Sequence, residues 1–249
     1  VHRGRRDRRP PDEVSAEARG GRRRFLAALP ALGLAARAHA QPECAVFTTP
    51  RQRETSPDEA LERLLDGNDR FVTGRTIHCD LRAQVRETAH GQAPFAAIVG
   101  CIDSRVPPEL VFDQRLGDVF CARIAGNFIN DDILGRLEYA TRVAGARLCV
   151  VLGHAGCGAI KSAIDGAKLG YVTAMLRHFG PAIKATRAKG DATSKNEAYV
   201  QAVADTHARL SAAQLTARSE VLRALVEQRR LRVVAAMHDI ASGRVSLLA

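Results

Sequence analysis

Leu148-Cys149-Val150-Val151-Leu152-Gly153, followed at once by His154-Ala155-Gly156-Cys157-Gly158, is the stretch on which the fold reading turns. Five apolar residues in a row, without polar alternation, fit a strand covered on both faces. Gly153 closes the run, and Gly158–Ile164 reads as a short helix. Upstream, Phe95–Val99 repeats the arrangement: a short apolar run closed by Gly100 and followed by Cys101-Ile102-Asp103-Ser104-Arg105. Val119–Ile124 is a further strand candidate. Asp132–Ala144 carries Ile133, Leu134, Leu137, Ala140 and Thr141 at helical spacing and stops at Gly145. Alternation of strand and helix predicts an α/β domain, a mainly parallel β-sheet of four or more strands flanked by helices.

Further out, Thr206–Gln228 reads as one long helix. Leu231–His238 and Arg244–Leu248 read as a strand pair around Ala241-Ser242-Gly243. On the other side, Ser56-Pro57-Asp58-Glu59 is a helix start with a Ser cap, Pro at the first helical position and Glu three residues after the cap. Leu61, Leu64, Leu65, Asn68 and Phe71 follow at helical spacing. Residues 41–55 read as a linker, which makes 56–249 the folded domain.

Residues 1–40 have a character of their own. They hold ten of the arginines and only four acids, a net of +6 out of +10 for the chain. The remaining +4 is ordinary for a folded domain, so the charge gives little reason to expect a nucleic-acid partner. Arg22-Arg23-Arg24-Phe25-Leu26, the apolar Ala27–Ala36 and Ala38-His39-Ala40 form the pattern of an export signal with a small-x-small cleavage site. It resembles the twin-arginine type, which engages a machinery that exports folded proteins to the bacterial periplasm. No uncharged apolar run is long enough to span a membrane, and Cys44 lacks the small residues that precede a lipidated cysteine, so no stable membrane anchor is expected.

Six cysteines stand at 44, 79, 101, 121, 149 and 157. Cys121 and Cys149 fall in strand-like runs and read as buried free thiols. Whether Cys44 and Cys79 pair is left open. Cys101 and the His154/Cys157 pair each follow a strand, where open parallel sheets build their sites. If the two strands are neighbours, two thiolates and an imidazole converge although 53 residues separate Cys101 from His154. His154 and Cys157 are three apart, so both can face one point. That soft set suits Zn2+, and three protein ligands leave one tetrahedral position open for water, whose pKa zinc lowers to about 7. Asp103 and Arg105 can pair through two hydrogen bonds, which keeps Asp103 ionised and an acceptor only. Singly, each piece has a plainer reading: a packed thiol, a chance His-x-x-Cys, a surface ion pair worth about 0–1 kcal/mol.

Longer segments add a resemblance. Cys101-Ile102-Asp103-Ser104-Arg105-Val106-Pro107-Pro108-Glu109 closely resembles the Cys-x-Asp-Ser-Arg signature of β-class carbonic anhydrases, and Val151–Ala159 resembles their second zinc motif. Gly117–Phe120, Arg123–Asn127 and Gly135–Ala140 are similar to family segments lying between them, in family order. The resemblance runs from about Ser56 to the C-terminus and is strongest over Pro94–Ala163.

That resemblance implies one zinc per chain held by Cys101, His154 and Cys157, with Asp103 and Arg105 as the catalytic dyad. It implies reversible hydration of carbon dioxide to bicarbonate and a proton by a zinc-bound hydroxide. Gln92, Phe120, Tyr139 and the backbone N–H of Gly158 are its substrate-binding positions, although packing alone would account for the two aromatics. Some relatives switch off when the aspartate leaves its arginine and becomes a fourth zinc ligand; their regulatory bicarbonate pocket includes a tryptophan. This chain has no tryptophan, so the open form is expected. The resemblance also implies a homodimer or homotetramer with an N-terminal helical arm wrapping a neighbour, a role the Ser56–Phe71 helix suits. Two rivals remain at this stage. A carbonyl sulfide or carbon disulfide hydrolase would use the same ligands, and a non-enzymatic zinc module binding nucleic acid would need more aromatics than the 4% present.

Overall fold

The computed structural model describes residues 44–187 and 190–249. The leader reading of residues 1–40 lies outside them. One sheet contains β1 (Ala96–Gly100), β2 (Val119–Arg123), β3 (Leu148–His154), β4 (Arg232–His238) and β5 (Val245–Leu248), in the order β2-β1-β3-β4-β5. The first four are parallel, and β5 turns back antiparallel to β4. The helices are α1 (Thr49–Glu54), α2 (Pro57–Val72), α3 (Leu81–Thr88), α4 (Pro108–Val111), α5 (Asp131–Glu138), α6 (Gly158–Ile164), α7 (Gly170–Leu176), α8 (Gly180–Ala185), α9 (Glu197–Arg218) and α10 (Glu220–Glu227). None of the described helices is long and apolar enough to cross a membrane.

The apolar runs are explained by helices on both faces of the sheet. Ala97, Val99, Cys149 and Val151 point to one side, against Phe179, Leu215 and Leu222. Ile98, Leu148, Val150 and Leu152 point to the other, against Leu61, Leu64, Val111 and Phe112. Burying a side chain such as Leu64 contributes about 2 kcal/mol. Every residue of β1 and β3 is buried, as the unalternated runs require.

Three expectations about element limits change. The segment 41–55 is more than a linker: it holds α1 and buries Phe47 and Gln52, whose Nε2 donates to the carbonyls of Pro94 (2.7 Å) and Ala144 (2.7 Å). The helix expected through Ala144 is regular only to Glu138 and continues as a π-helical turn, Tyr139–Val143. That wider turn sets the Ala144 carbonyl before Gln52. The long C-terminal helix begins earlier, at Glu197, and breaks at Ser219, which ends α9 and caps α10 through its hydroxyl to Leu222 N. Ser219 Oγ also donates to Glu138 Oε1 (2.6 Å), which fixes the break.

The start of α2 has the predicted capping box: Ser56 and Glu59 each bond the other's backbone N–H. The helix expected as an arm for a neighbour lays Ala60, Leu61 and Leu64 on its own sheet. Cys44 and Cys79 form a disulfide, closing 35 residues. Cys121 and Cys149 are free, Cys149 buried and Cys121 half-buried.

Candidate metal centre

The pairing of β1 with β3 brings the two reactive segments together. Val99 is opposite Val151, and two residues further along that register Cys101 stands level with Gly153, beside His154. The backbone then turns at Gly156 (φ 66°) and delivers Cys157 as the N-cap of α6. The Sγ atoms of Cys101 and Cys157 and a ring nitrogen of His154 all lie within 4.8 Å of one another, and all three residues are buried. His154 Nδ1 is 3.0 Å from the Ala155 carbonyl oxygen, which makes it the N–H side of the ring. Nε2 is then a bare acceptor, buried and without a hydrogen-bond partner among the described residues. A buried polar atom left unpaired costs about 1–3 kcal/mol, so the arrangement suits a cation at that point.

The thiols carry the same message. Cys101 is drawn down to about 4, first by the hydrogen bond from Cys157; burial opposes, and His154 and the Gly126 and Asp103 backbone N–H groups assist. Cys157 is pushed up, first by that shared hydrogen bond and then by burial, while the Ile160 and Ala159 N–H groups at the start of α6 pull the other way. The two neighbouring sulfurs thus oppose each other's ionisation, and a zinc ion between them would favour both as thiolates. Two sulfurs and one nitrogen are a donor set that zinc fits.

Asp103 and Arg105 flank the cluster. Arg105 Nε donates to Asp103 Oδ1 (3.0 Å) and its Nη2 to Oδ2 (2.8 Å), while the Arg105 backbone N–H also reaches Oδ1 (3.0 Å). Arg105 holds the Asp103 carboxyl well below the usual carboxylate range, against a smaller opposing effect of burial. Asp103 Oδ2 lies 4.0 Å from His154 Nε2.

Three supporting residues had no role in the sequence reading. Arg123, at the end of β2, donates from Nε to the Cys101 carbonyl (2.9 Å) and from Nη2 to the Asp103 carbonyl (2.6 Å), bracing the loop. Gly126 N–H donates to Cys101 Sγ (3.2 Å). Its φ of 72° and the Phe179 ring against it leave no room for a Cβ. His207 Nε2 donates to the Gly126 carbonyl (2.9 Å) from the middle of α9. Arg123 ends the strand beside β1 and Gly126 follows it, a detectable signal; His207 has none.

The positions assigned to substrate are more scattered. Gly158 is at the start of α6 beside Cys157, with open space where a Cβ would be. Phe120 and Tyr139 meet edge to face, centroids 6.5 Å apart. With Ala97, Ile98 and Cys121 they line an apolar cavity of about 360 Å³ at the β2 edge. Gln92 is exposed before the start of β1, at the end of that strand away from Cys101. Within one chain, then, Gln92 does not join the metal cluster, because it precedes the strand that Cys101 follows.

A family model described as carbonic anhydrase matches residues 96–245. Carbonic anhydrase 2 of Mycobacterium tuberculosis is 37% identical over 199 residues, covering 78% of this chain and 93% of that protein. Among solved structures, a β-carbonic anhydrase of Aspergillus fumigatus matches with a TM-score of 0.60 at 24% identity, covering 67% of this chain and 81% of that one. A tetrameric β-carbonic anhydrase of Sordaria macrospora matches with a TM-score of 0.58 at 22% identity, covering 68% and 90%. The matched span runs from the first residue of β1 to the first of β5, so it takes in both strands that lead into the Cys101, His154 and Cys157 cluster; the chain shares its fold with the β-class structures and belongs to the carbonic anhydrase family.

Proposed function

We propose that this chain is a zinc enzyme that reversibly hydrates carbon dioxide to bicarbonate and a proton. The observation that carries the reading is the buried Cys101, His154 and Cys157 cluster, its Nε2 unpartnered, with the ionised Asp103 beside it. When bound there, zinc supplies a Lewis acid that makes water nucleophilic at neutral pH. Asp103, an acceptor only, takes a hydrogen bond from the attacking water and turns its lone pair toward carbon dioxide. Arg105 keeps that carboxylate ionised and away from the histidine. Arg105 and Lys161 line an outer cavity of about 510 Å³ with Glu197 and Asp239, so its charges balance. The Asp103–Arg105 pair supports the open form, with no fourth protein ligand.

Two further features belong to this proposal. The chain forms a homodimer or homotetramer: among the described residues the outer edge of β2 is unpaired, and Tyr139 is 55% exposed and Val143 71% exposed near it, while the similar Sordaria protein is tetrameric. Gln92 of one copy would then complete the pocket of another. The chain is exported through its twin-arginine leader, a reading the Cys44–Cys79 disulfide supports, since such bonds persist in oxidising compartments. Carbon dioxide hydration by the purified protein, with zinc content measured on the same sample, tests the chemistry. Retention in the cytoplasm of an Arg22→Lys/Arg23→Lys variant tests export.

A further inference from the structure

Away from the metal centre, four arginines from separate parts of the chain meet over one small cavity. It is about 200 Å³ in volume and is lined by Arg51 of α1, Arg63, Asp66 and Arg70 of α2, Ile77, and the Gln114-Arg115 turn after α4. Gly67 allows the approach: a Cβ there would run into the Phe112 carbonyl, so only glycine lets α2 lie against that turn.

All four arginines are held in place; Arg70 and Arg115 stand beside acids and Asp66 adds a carboxylate to the lining, while Arg51 and Arg63 are not neutralised by a direct partner. Arg63 lies over two rings, 5.1 Å from the Phe47 centroid and 5.2 Å from that of Phe95, and Arg51 lies 4.7 Å from Phe47. Among the described residues neither is in an ion pair. Arg70 is bound to Asp113 (2.6 Å). Arg115 has a side chain only 8% exposed; it donates from Nη1 to the Asp113 carbonyl and stands 3.8 Å from Asp118. Burial, and then repulsion from Arg51, Arg115 and Arg70 set against attraction to Asp118, push Arg63 below its ordinary value.

The unpaired polar atoms concentrate here. Among the described residues Arg63 Nε and Arg115 Nε are buried donors without a partner, and Gln114 Oε1 and, beside Arg115, Asp118 Oδ1 are buried acceptors without one. Guanidinium groups present their N–H donors in a planar fork that matches oxyanions. The idle Gln114 acceptor calls for a ligand that also carries a hydroxyl.

We propose that this cavity is a binding site for a small hydroxyl-bearing oxyanion, of which inorganic hydrogen phosphate is the probe. Its charged oxygens take the hydrogen bonds of Arg51, Arg63 and Arg115, and its hydroxyl donates to Gln114 Oε1. A cavity this small admits a single inorganic anion rather than a nucleotide. The site is independent of zinc and of the hydration reaction, since none of its residues touches the metal cluster.

Calorimetric titration of phosphate into the zinc-loaded full chain at low ionic strength tests the assignment. The expected result is one saturable site per chain, weakened about tenfold or more in Arg115→Gln and in Arg51→Gln. Arg51 is exposed, so its variant remains informative should Arg115→Gln fold poorly. Zinc content and carbon dioxide hydration without phosphate stay unchanged in Arg51→Gln. Sulfate, which carries no hydroxyl at neutral pH, binds several-fold more weakly than phosphate. Phosphate binding that is equal in wild type and Arg51→Gln would place the anion outside this cavity and overturn the proposal. So would absence of saturable binding below about 10 mM, or sulfate binding as tightly as phosphate.

Discussion

Asp103 Oδ2 lies 4.0 Å from His154 Nε2, while Arg105 holds both oxygens of the same carboxylate. The carboxylate is thus held beside the cluster, close enough to act on whatever the cluster binds. Asp103→Asn removes the charge at nearly the same shape. Hydration should fall by about 100-fold or more, with zinc content unchanged; equal loss of zinc would make Asp103 a ligand instead.

The same pair has a pH signature. Because its folded pKa is depressed, the contribution of Asp103 to stability is complete above the ordinary carboxylate pKa of about 3.9 and is lost only as pH falls below it. Any decline of wild-type activity between pH 8 and 5 should therefore persist unchanged in shape in Arg105→Lys, which keeps the partner charge. A new titration near pH 4–5 in that variant would show that the two-pronged grip, not charge alone, sets the depression.

Cys157→Ser removes the sulfur at the start of α6 from the cluster and leaves Cys101 and His154 as its other members. Zinc affinity should drop by more than the roughly 100-fold typical of lost outer-shell contacts. Competition with a chromophoric chelator reads this directly, without reference to activity.

His207 predicts acid sensitivity behind the site. Burial first of all lowers it to about 4, so it is neutral at pH 7 and donates to Gly126. The unfolded histidine takes up its proton near 6.5, the folded one only near 4, so stability is full above pH 6.5 and declines as pH falls from there. Between pH 7.5 and 5 the wild type should lose about 2 kcal/mol more than His207→Gln, which keeps a donor but does not titrate. Denaturant unfolding at the two pH values measures it; identical losses would remove His207 from the account.

The Cys44–Cys79 bond ties the segment before α1 to the turn before α3. Closing 35 residues should contribute about 3–4 kcal/mol by restricting the unfolded chain. Cys44→Ser/Cys79→Ser should lower the melting temperature while leaving zinc content intact. An unchanged melting temperature would mean that the bond constrains a segment that unfolds independently.

Much of the site could be read from sequence because its residues sit just past strands, and β1 and β3 announce themselves as unbroken apolar runs. Continuing their register does the rest, bringing Cys101 beside His154. Other features carried no such mark. The start of α9 was hidden because its inward stripe, Tyr199, Val200, Val203, Ala204, His207, Ala208 and Ser211, is built of small and polar residues with little hydrophobic contrast. Its break at Ser219 depends on Glu138, 81 residues away. Arg51, Arg63, Arg70 and Arg115 share no motif, and only the packing of α2 at Gly67 brings them together. Gln92 was legible as a residue of the resembling family but not as one that lies away from its own chain's cluster.

The most direct test of the central claim is a zinc titration of metal-stripped protein, kept reduced at its four free thiols, with carbon dioxide hydration followed by stopped flow at each addition. The account predicts activity that rises in proportion to zinc and stops rising at one ion per chain, with His154→Ala remaining inactive throughout. Full binding of one zinc without hydration, or hydration that does not depend on zinc, would contradict it.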